Sequence, residues 1–241
     1  MRKRYLCGAF VGVLVIAAAL SATAGGGTTS RWHGPVHMRT NSTSTNWSGY
    51  AVTGGRYTSV SSSWTVPAVS CSGTAYSSFW VGLDGDTSGT VEQTGTDSDC
   101  SGSTPQYYAW YEMYPKFPSN FRDPVSPGDH MSASVTTTGN GQFTLTISDT
   151  TRGWTESTNV RLKSAKLASA EVIAEAPSSS GGVLPLANFG TVNFSGASAN
   201  GALLTSSTPG IDAITMASGS TAKAQPSSIS NGSFSVAWKH S

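Results

Sequence analysis

From Asn46 onward, the chain consists of short segments in which apolar or aromatic residues alternate with Ser and Thr, separated by Gly, Pro, Asn and Asp. This spacing is typical of antiparallel strands joined by tight turns. The clearest predicted strands are 61–66, 79–83, 107–114 and the two arms of a hairpin within 135–147, around Gly139-Asn140-Gly141. The pattern predicts an all-β fold, an antiparallel double-sheet β-sandwich or jelly roll.

One segment does not follow the strand pattern. Residues 161–176 are rich in Ala, Lys, Leu and Glu, and their intrinsic propensity favours a helix. In a strand, Glu171, Ile173 and Glu175 would share one face. In a helix, Glu171 and Glu175 would still be neighbours, four residues apart. Both alternatives bring the two carboxylates together.

The amino terminus has the features of a secretory signal peptide. Arg2-Lys3-Arg4 precedes an apolar run over 6–20, and Ala22-Thr23-Ala24 offers the small residues that signal peptidase needs. The apolar run is shorter than the ~20 residues of a transmembrane helix. We therefore expect residues 1–24 to be removed and the mature protein to be secreted, with no membrane partner afterwards.

Residues 25–45 have the composition of a flexible leader or propeptide, and 46–241 have a length suited to a single β-sandwich domain. The leader contains Arg31 and Arg39, whereas no Asp or Glu precedes Asp84. One interpretation is a disordered tail. The other is a basic plug that covers an acidic cleft until acid neutralises the cleft.

Charge and cysteine content narrow the possible partners and the compartment. Of the 14 Lys and Arg residues, five precede residue 40, leaving nine against all 13 Asp and Glu. This mildly acidic balance argues against a nucleic-acid partner. Export leaves Cys71 and Cys100 as an even pair in an oxidising compartment, which predicts a disulfide worth roughly 3 to 4 kcal/mol in the chain-entropy model.

Several catalytic chemistries lack the residues they need. Beyond the leader, the histidines are His130, in a turn-like Pro-Gly-Asp-His sequence, and His240, next to the carboxyl end. Neither accompanies a nucleophile-elbow serine. Both remaining cysteines are assigned to the disulfide, and the ligands of a zinc or calcium site are lacking. We expect no metal and no cofactor, which leaves carboxylate chemistry.

Strand alternation groups acidic, amide and aromatic side chains. In 108–114 one face would carry Tyr108, Trp110, Glu112 and Tyr114. In 91–97 one face would carry Gln93, Gly95 and Asp97, with Gly95 allowing another group to approach closely. Such a face is either a half-buried sheet surface or a substrate groove whose aromatic floor raises the pKa of nearby carboxyl groups.

The chain resembles the glutamic peptidases, or eqolisins, in five ordered motifs. These are Asn46-Trp47-Ser48-Gly49-Tyr50, Trp80-Val81-Gly82-Leu83-Asp84-Gly85-Asp86, Gln93-Thr94-Gly95 with Asp97, Ala109-Trp110-Tyr111-Glu112, and Ala170-Glu171-Val172-Ile173-Ala174-Glu175. The resemblance implies a concanavalin-like double sheet and an endopeptidase with Gln93 and Glu175 as its catalytic residues. The positions it assigns to substrate binding or cleft support are Trp47, Trp80, Asp84, Asp97, Trp110, Glu112 and Glu171. Tyr108 departs from the pattern, because fungal members commonly carry an acidic residue there.

The resemblance implies a mechanism without a covalent intermediate. Glu175 would take a proton from a water held against Gln93, and the Gln93 amide would stabilise the oxyanion. We expect an acid-active endopeptidase of polypeptide substrates and a monomer.

Two alternatives remain open at this point. In a jelly-roll glycoside hydrolase, Glu112 and Glu175 would be the two carboxylates and Gln93 would have no role. In a secreted carbohydrate-binding sandwich, the aromatic residues would bind sugar without catalysis.

Overall fold

The structure is a computed structural model that describes residues 31–33 and 43–241. Those residues form eighteen strands and no helix. The strands are β1 Thr43–Ser44, β2 Trp47–Thr53, β3 Ser59–Thr65, β4 Ser78–Leu83, β5 Val91–Ser101, β6 Thr104–Tyr114, β7 Ser119–Asn120, β8 His130–Thr137, β9 Gln142–Asp149, β10 Trp154–Arg161, β11 Ser169–Glu175, β12 Ser178–Ser179, β13 Gly182–Val183, β14 Thr191–Ala199, β15 Ala202–Leu203, β16 Ile211–Ser218, β17 Thr221–Pro226 and β18 Phe234–Trp238. Within the described ranges there is accordingly no helix that could serve as a membrane span.

The strands form two packed layers, which confirms the predicted double-sheet β-sandwich. The front layer has the order β2-β11-β4-β5-β6-β7, and the back layer has the order β10-β9-β8-β3-β14-β18-β17. Strand β16 pairs with β2 on one side and with β17 on the other, so it joins the layers. Neighbours in these layers run antiparallel, whereas β1 pairs with β16 in parallel.

The segment of ambiguous propensity contains a central strand. Residues 162–168 form a loop, and β11 then runs between β2 and β4 with every residue buried. Helix propensity is a weak prior that tertiary context overrides. Here two hydrogen-bonded neighbours satisfy the backbone on both sides, and Glu171, Ile173 and Glu175 share one face, as predicted for a strand.

The main core lies between the two layers. It is built from alternate side chains, including Phe79, Val81 and Leu83 of β4 and Leu145 and Ile147 of β9, all fully buried. The opposite face of the front layer carries a second apolar cluster, which contains Trp47, Trp80, Trp110 and Ile173. We call this second surface the cleft face.

Two further predictions concern the edges of the domain. Cys71 and Cys100 form the predicted disulfide, with a Cα–Cα distance of 5.4 Å. The predicted signal peptide, 1–24, lies outside the described residues. Of the predicted leader, 25–45, the structure describes 31–33 and the last three residues, of which Thr43–Ser44 form β1. The division of the chain at residue 45 stays a prediction.

Candidate active site

Strands β5 and β6 bring the predicted polar and aromatic residues together on the cleft face. In the antiparallel register, Gln93 lies opposite Glu112, Gly95 opposite Trp110, and Asp97 opposite Tyr108. Because side chains alternate along a strand, each of these pairs faces the same side of the sheet. The alternation of side chains that the sequence predicts for 91–97 and 108–114 is therefore observed in the fold.

Two glycines make room for Trp80 on this face. A Cβ atom on Gly95 would clash with the carbonyl oxygen of Phe79 and lie 2.6 Å from Cβ of Trp80. A Cβ atom on Gly82 would lie 2.9 Å from the Trp80 ring. The indole occupies the space that these missing side chains leave, packs edge-on against Trp47 at 5.1 Å between ring centroids, and donates from Nε1 to Oε2 of Glu175 at 2.7 Å.

Glu175 is completely buried at the end of β11. Besides the bond from Trp80, its Oε1 accepts a hydrogen bond from Nδ2 of Asn46 at 3.0 Å. Asn46 is itself held by Ser44, whose hydroxyl donates to Asn46 Oδ1 at 3.1 Å. Two buried donors therefore fix the carboxylate and stabilise its ionised form, because hydrogen bonds to a charged acceptor are the strong class. Asn46 belongs to the first of the five motifs, but the motif alone did not indicate this role.

Gln93 is oriented by Glu112. The Gln93 Nε2 atom donates to Oε2 of Glu112 at 3.0 Å and also to the main-chain oxygen of His33. Oε1 of Gln93 is buried, and no described residue is its hydrogen-bond partner. Because an amide presents donors at one end and an acceptor at the other, Glu112 determines which end meets the bound segment.

The register separates the roles of the two glutamates of β11. Glu171 lies opposite Gly82, which in turn lies opposite Gln93, so Glu171 and Gln93 share one row of the sheet. Glu175 lies opposite Ser78, in the row of Asp97. Burial, with repulsion from Asp86, Asp84 and Glu92, raises the pKa of Glu171 well above its usual range.

Two further acidic groups lie near Glu171. Burial and the charge of Asp84 raise the pKa of Glu92 to about 9. The carboxylate of Asp84 accepts three backbone N–H bonds, from Lys166, Leu167 and Ala168, each at 2.8 Å. Asp84 therefore fixes the loop that leads into β11, which is a supporting role for the site.

Asp97 holds two aromatic side chains of the cleft face, Trp110 and Tyr108. Its Oδ1 accepts from Nε1 of Trp110 at 2.6 Å, and its Oδ2 accepts from the Tyr108 hydroxyl at 2.8 Å. Burial acts to raise the pKa of Asp97, but the charges of His33 and Arg31 outweigh it and lower that pKa. Asp97 is therefore an ionised carboxylate in this arrangement.

Residues 31–33 of the predicted leader lie on the cleft face, and we call them the leader segment. The His33 ring stacks on Trp110, with ring centroids 3.9 Å apart and an angle of 9° between the ring planes. The backbone N–H of His33 donates to Oε2 of Glu112 at 2.9 Å. Burial acts to lower the pKa of His33, but the charges and hydrogen bonds of Asp97 and Glu112 raise it to about 10. Trp32 exchanges two backbone hydrogen bonds of 2.9 Å with Ser178, three residues beyond Glu175.

The remaining histidine candidate lies elsewhere. His130 begins β8 in the back layer, is exposed, and pairs through Nδ1 with the Thr65 hydroxyl at 3.1 Å.

Gln93 points its amide at Glu112, which does not agree with a glycoside hydrolase that uses Glu112 and Glu175 and has no role for Gln93. The site therefore consists of carboxyl, amide and indole groups around a bound peptide segment.

Comparison with known proteins finds a matching family model, two similar curated proteins and similar solved structures. Residues 45–238 match the family model described as the Peptidase A4 family. The chain is 32% identical to Aspergillopepsin-2 of Aspergillus niger over 65% of this chain and 64% of the relative, and 35% identical to Scytalidopepsin B of Scytalidium lignicola over 49% and 45%. The matches thus span less than two thirds of these relatives' length. The solved structure of scytalido-glutamic peptidase with a transition state analog inhibitor covers 81% of this chain and 98% of that one, at 28% identity and a TM-score of 0.72.

Proposed function

Because the chain belongs to the Peptidase A4 family, the glutamic peptidases, we propose that it is a secreted, acid-active endopeptidase that cleaves protein substrates with Gln93, Glu175 and a water. The observation that carries this proposal is the pair of contacts made by the leader segment. The amide of Gln93 donates to a peptide carbonyl, that of His33, while the same segment pairs with Ser178, just beyond Glu175. A peptide bound in this way spans both catalytic candidates.

In the proposed reaction, ionised Glu175 takes a proton from water, whose oxygen attacks the peptide carbonyl carbon. The carbonyl oxygen becomes an oxyanion, to which the Gln93 Nε2–H group donates. The C–N bond then breaks, and Glu175 returns its proton to the departing nitrogen. The oxyanion reforms the carbonyl, so the products are a carboxylic acid and an amine, and no covalent intermediate forms. A preorganised donor such as Gln93 is typically worth about 10²- to 10³-fold in rate.

Supporting residues prepare both groups. Trp80 and Asn46 hold Glu175 by two hydrogen bonds, which favours the ionised base. Glu112 holds the donor end of Gln93. The raised pKa of Glu171 supports Glu175 as the base, because a carboxyl group that stays protonated cannot accept the proton of water.

The leader segment supports an autoinhibited precursor. Arg31 forms an ion pair of 2.5 Å with Asp99, and His33 covers Trp110, so a substrate could not enter the same positions. Burial and the charge of Asp97 raise the pKa of Asp99 to about 7, whereas Arg31 acts to lower it. Since Arg31 favours ionised Asp99, its contribution to leader binding is present above neutrality and is lost as the pH falls through about 7.

The histidine behaves differently in acid. With a pKa of about 10, His33 stays protonated at every pH below neutrality, so its pairing with Asp97 persists until Asp97 itself gains a proton. Asp97, whose pKa is lowered, does so last. Acid should therefore loosen Arg31 before His33.

The test is digestion of a denatured protein from pH 2 to 7 by the acid-treated protein, with and without an inhibitor of aspartic peptidases. We expect inhibitor-resistant cleavage that rises in acid, falls at least about 10²-fold in Gln93→Ala, and is abolished in Glu175→Gln. Glu171→Gln is the matched control on the same strand face and should lose far less. Full activity of Glu175→Gln would overturn the assignment of the base, and absence of peptidase activity at every pH would overturn the function.

A further inference from the structure

We propose that Ser44 is a positioning residue of the peptidase, which holds the Asn46 amide in the orientation that keeps Glu175 ionised. Strand β1, which the sequence pattern places in the leader, therefore belongs to the catalytic domain and has to stay on the active enzyme. The inference rests on the proposed function. It adds a residue that lies outside the five motifs, and it limits where the leader can be cut.

Ser44 is fixed in place by its own strand. In β1, Thr43 pairs with Thr215 and Ser44 pairs with Met216 of β16. Ser44 is also buried. Because a buried hydroxyl has to make its hydrogen bonds within the protein, its neighbours determine where its proton points.

The Ser44 hydroxyl serves three groups of the turn that leads into β2. Its Oγ accepts the backbone N–H of Asn46 at 3.3 Å and that of Trp47 at 3.0 Å, which is the pattern of an ST turn. Its one proton is donated to Oδ1 of Asn46 at 3.1 Å. The same hydroxyl therefore holds both the backbone and the side chain of Asn46.

This arrangement decides which end of the Asn46 amide faces the proposed base. One end of an amide is an acceptor, and the other end carries two donors. With Oδ1 turned to the proton of Ser44, Nδ2 donates to Oε1 of Glu175 at 3.0 Å. The backbone sets the distance, because the Asn46 carbonyl accepts the N–H of Ala176, next to Glu175, at 2.9 Å. A rotated amide would place an oxygen against the carboxylate and disfavour its ionised form.

The other ionisable groups of the cleft face keep their own partners when β1 is altered. Asp97 shares the row of Glu175, whereas Glu171 and Asp212 share another row, four positions along the strands. His33 of the leader segment pairs with Asp97 and is absent once the leader has left. A shift of the acid limb that depends on the β1 hydroxyl alone therefore reports its effect on Glu175.

The test compares Ser44→Thr with Ser44→Val in the acid-processed protein. The two side chains have nearly the same shape, but only threonine keeps a hydroxyl, so packing against β16 changes equally. In a profile of kcat/KM against pH with a neutral peptide, the acid limb of Ser44→Thr should coincide with that of the parent protein. The limb of Ser44→Val should lie about 0.5 to 1 pH unit higher, which is part of the shift that a lost hydrogen bond to a charged group gives.

Asn46→Ala shows whether the effect passes through Asn46. This variant removes the donor itself and should raise the acid limb by about 1 to 2 pH units. Addition of Ser44→Val to it should raise the limb no further, whereas two independent effects would add. Ser62→Ala is the control, because it removes another buried serine, which donates to the Ser195 carbonyl at 3.1 Å in the back layer, and it should leave the limb in place.

Mass spectrometry of the acid-processed protein should find an amino terminus at Thr43 or before it. Full activity of a chain that begins after Ser44 would overturn the inference. Equal acid limbs for Ser44→Thr and Ser44→Val, or additive shifts in the double variant, would also overturn it, and all these results leave the peptidase function intact. Should Ser44→Val fail to fold, Ser44→Ala replaces it. If the parent protein cleaves no denatured protein at any pH, the function itself fails and the inference fails with it.

Discussion

Replacement of Trp80 by phenylalanine isolates one hydrogen bond to the proposed base. The substitution keeps an aromatic ring over Gly82 and Gly95 but removes the Nε1–H donor that lies 2.7 Å from Oε2 of Glu175. Hydrogen bonds to charged groups contribute about 1.5 to 3 kcal/mol. Because 1.36 kcal/mol corresponds to one pH unit in a protonation equilibrium, the ionised base should be lost about 1 to 2 pH units higher than in the parent protein.

The assay is a profile of kcat/KM against pH with a neutral peptide, which reports the ionisation of the free enzyme. We expect the acid limb of the Trp80→Phe profile to move upward by about 1 to 2 pH units, with the plateau reduced less than the acid limb. The move upward follows because a base that loses a donor to its carboxylate holds its proton more tightly.

Trp47→Phe is a matched control. Trp47 packs edge-on against Trp80, and its buried Nε1 has no hydrogen-bond partner among the described residues. The same change of ring therefore removes similar packing but no bond to Glu175, so the acid limb should stay in place. The reasoning is wrong if the acid limb of both variants lies at the same pH as in the parent protein and kcat/KM is only lowered uniformly. Trp80 would then act through packing alone.

Three further outcomes concern the fold. The double variant Cys71→Ala/Cys100→Ala should lower the free energy of unfolding in urea by about 3 to 4 kcal/mol, and no change would show that the bridge constrains little. Gly95→Ala should cost about 1 to 3 kcal/mol and disturb activity through Trp80, whereas Gly73→Ala, with open space around it, should cost little. The raised pKa of Glu92 gives stability that is present in acid and is lost as the pH rises towards about 9. In Glu92→Gln the free energy of unfolding should therefore fall less between pH 5 and 9 than in the parent protein. Parallel curves of this free energy against pH for parent and variant would contradict the reasoning.

Much of the cleft face is readable from the sequence because strand parity alone determines it. The alternation of 91–97 and 108–114 groups Gln93 with Asp97 and Trp110 with Glu112, whatever the register between the strands. The register between the strands cannot be predicted in this way, because it depends on backbone pairing that has no local signature in the sequence. Only the fold shows that Gln93 lies opposite Glu112, and that Glu171, not Glu175, shares its row.

Contacts between distant segments could not be predicted from local pattern. Asp99 follows Asp97 by two and lies on the same strand face, so parity could have found it, but its partner Arg31 is 68 residues away in a segment of coil-like composition. Asn46 directly precedes β2, and only the pairing of β2 with β11 brings it to Glu175, 129 residues away. Local propensity also failed for β11, because two neighbouring strands supply hydrogen bonds that the propensity does not include.

The cleft face holds several acidic side chains in little space, and their surroundings divide them by charge. Asp97 and Glu175 accept buried N–H or O–H donors, which favour the ionised form. Burial and repulsion from neighbouring carboxylates raise the pKa of Glu171, which favours its neutral form. A face of this kind is costly at neutral pH unless cations cover it, and Arg31 and His33 supply two. Under the proposed function, we therefore expect a covered precursor at neutral pH and an uncovered cleft only once Asp99 and then Asp97 have gained protons in acid.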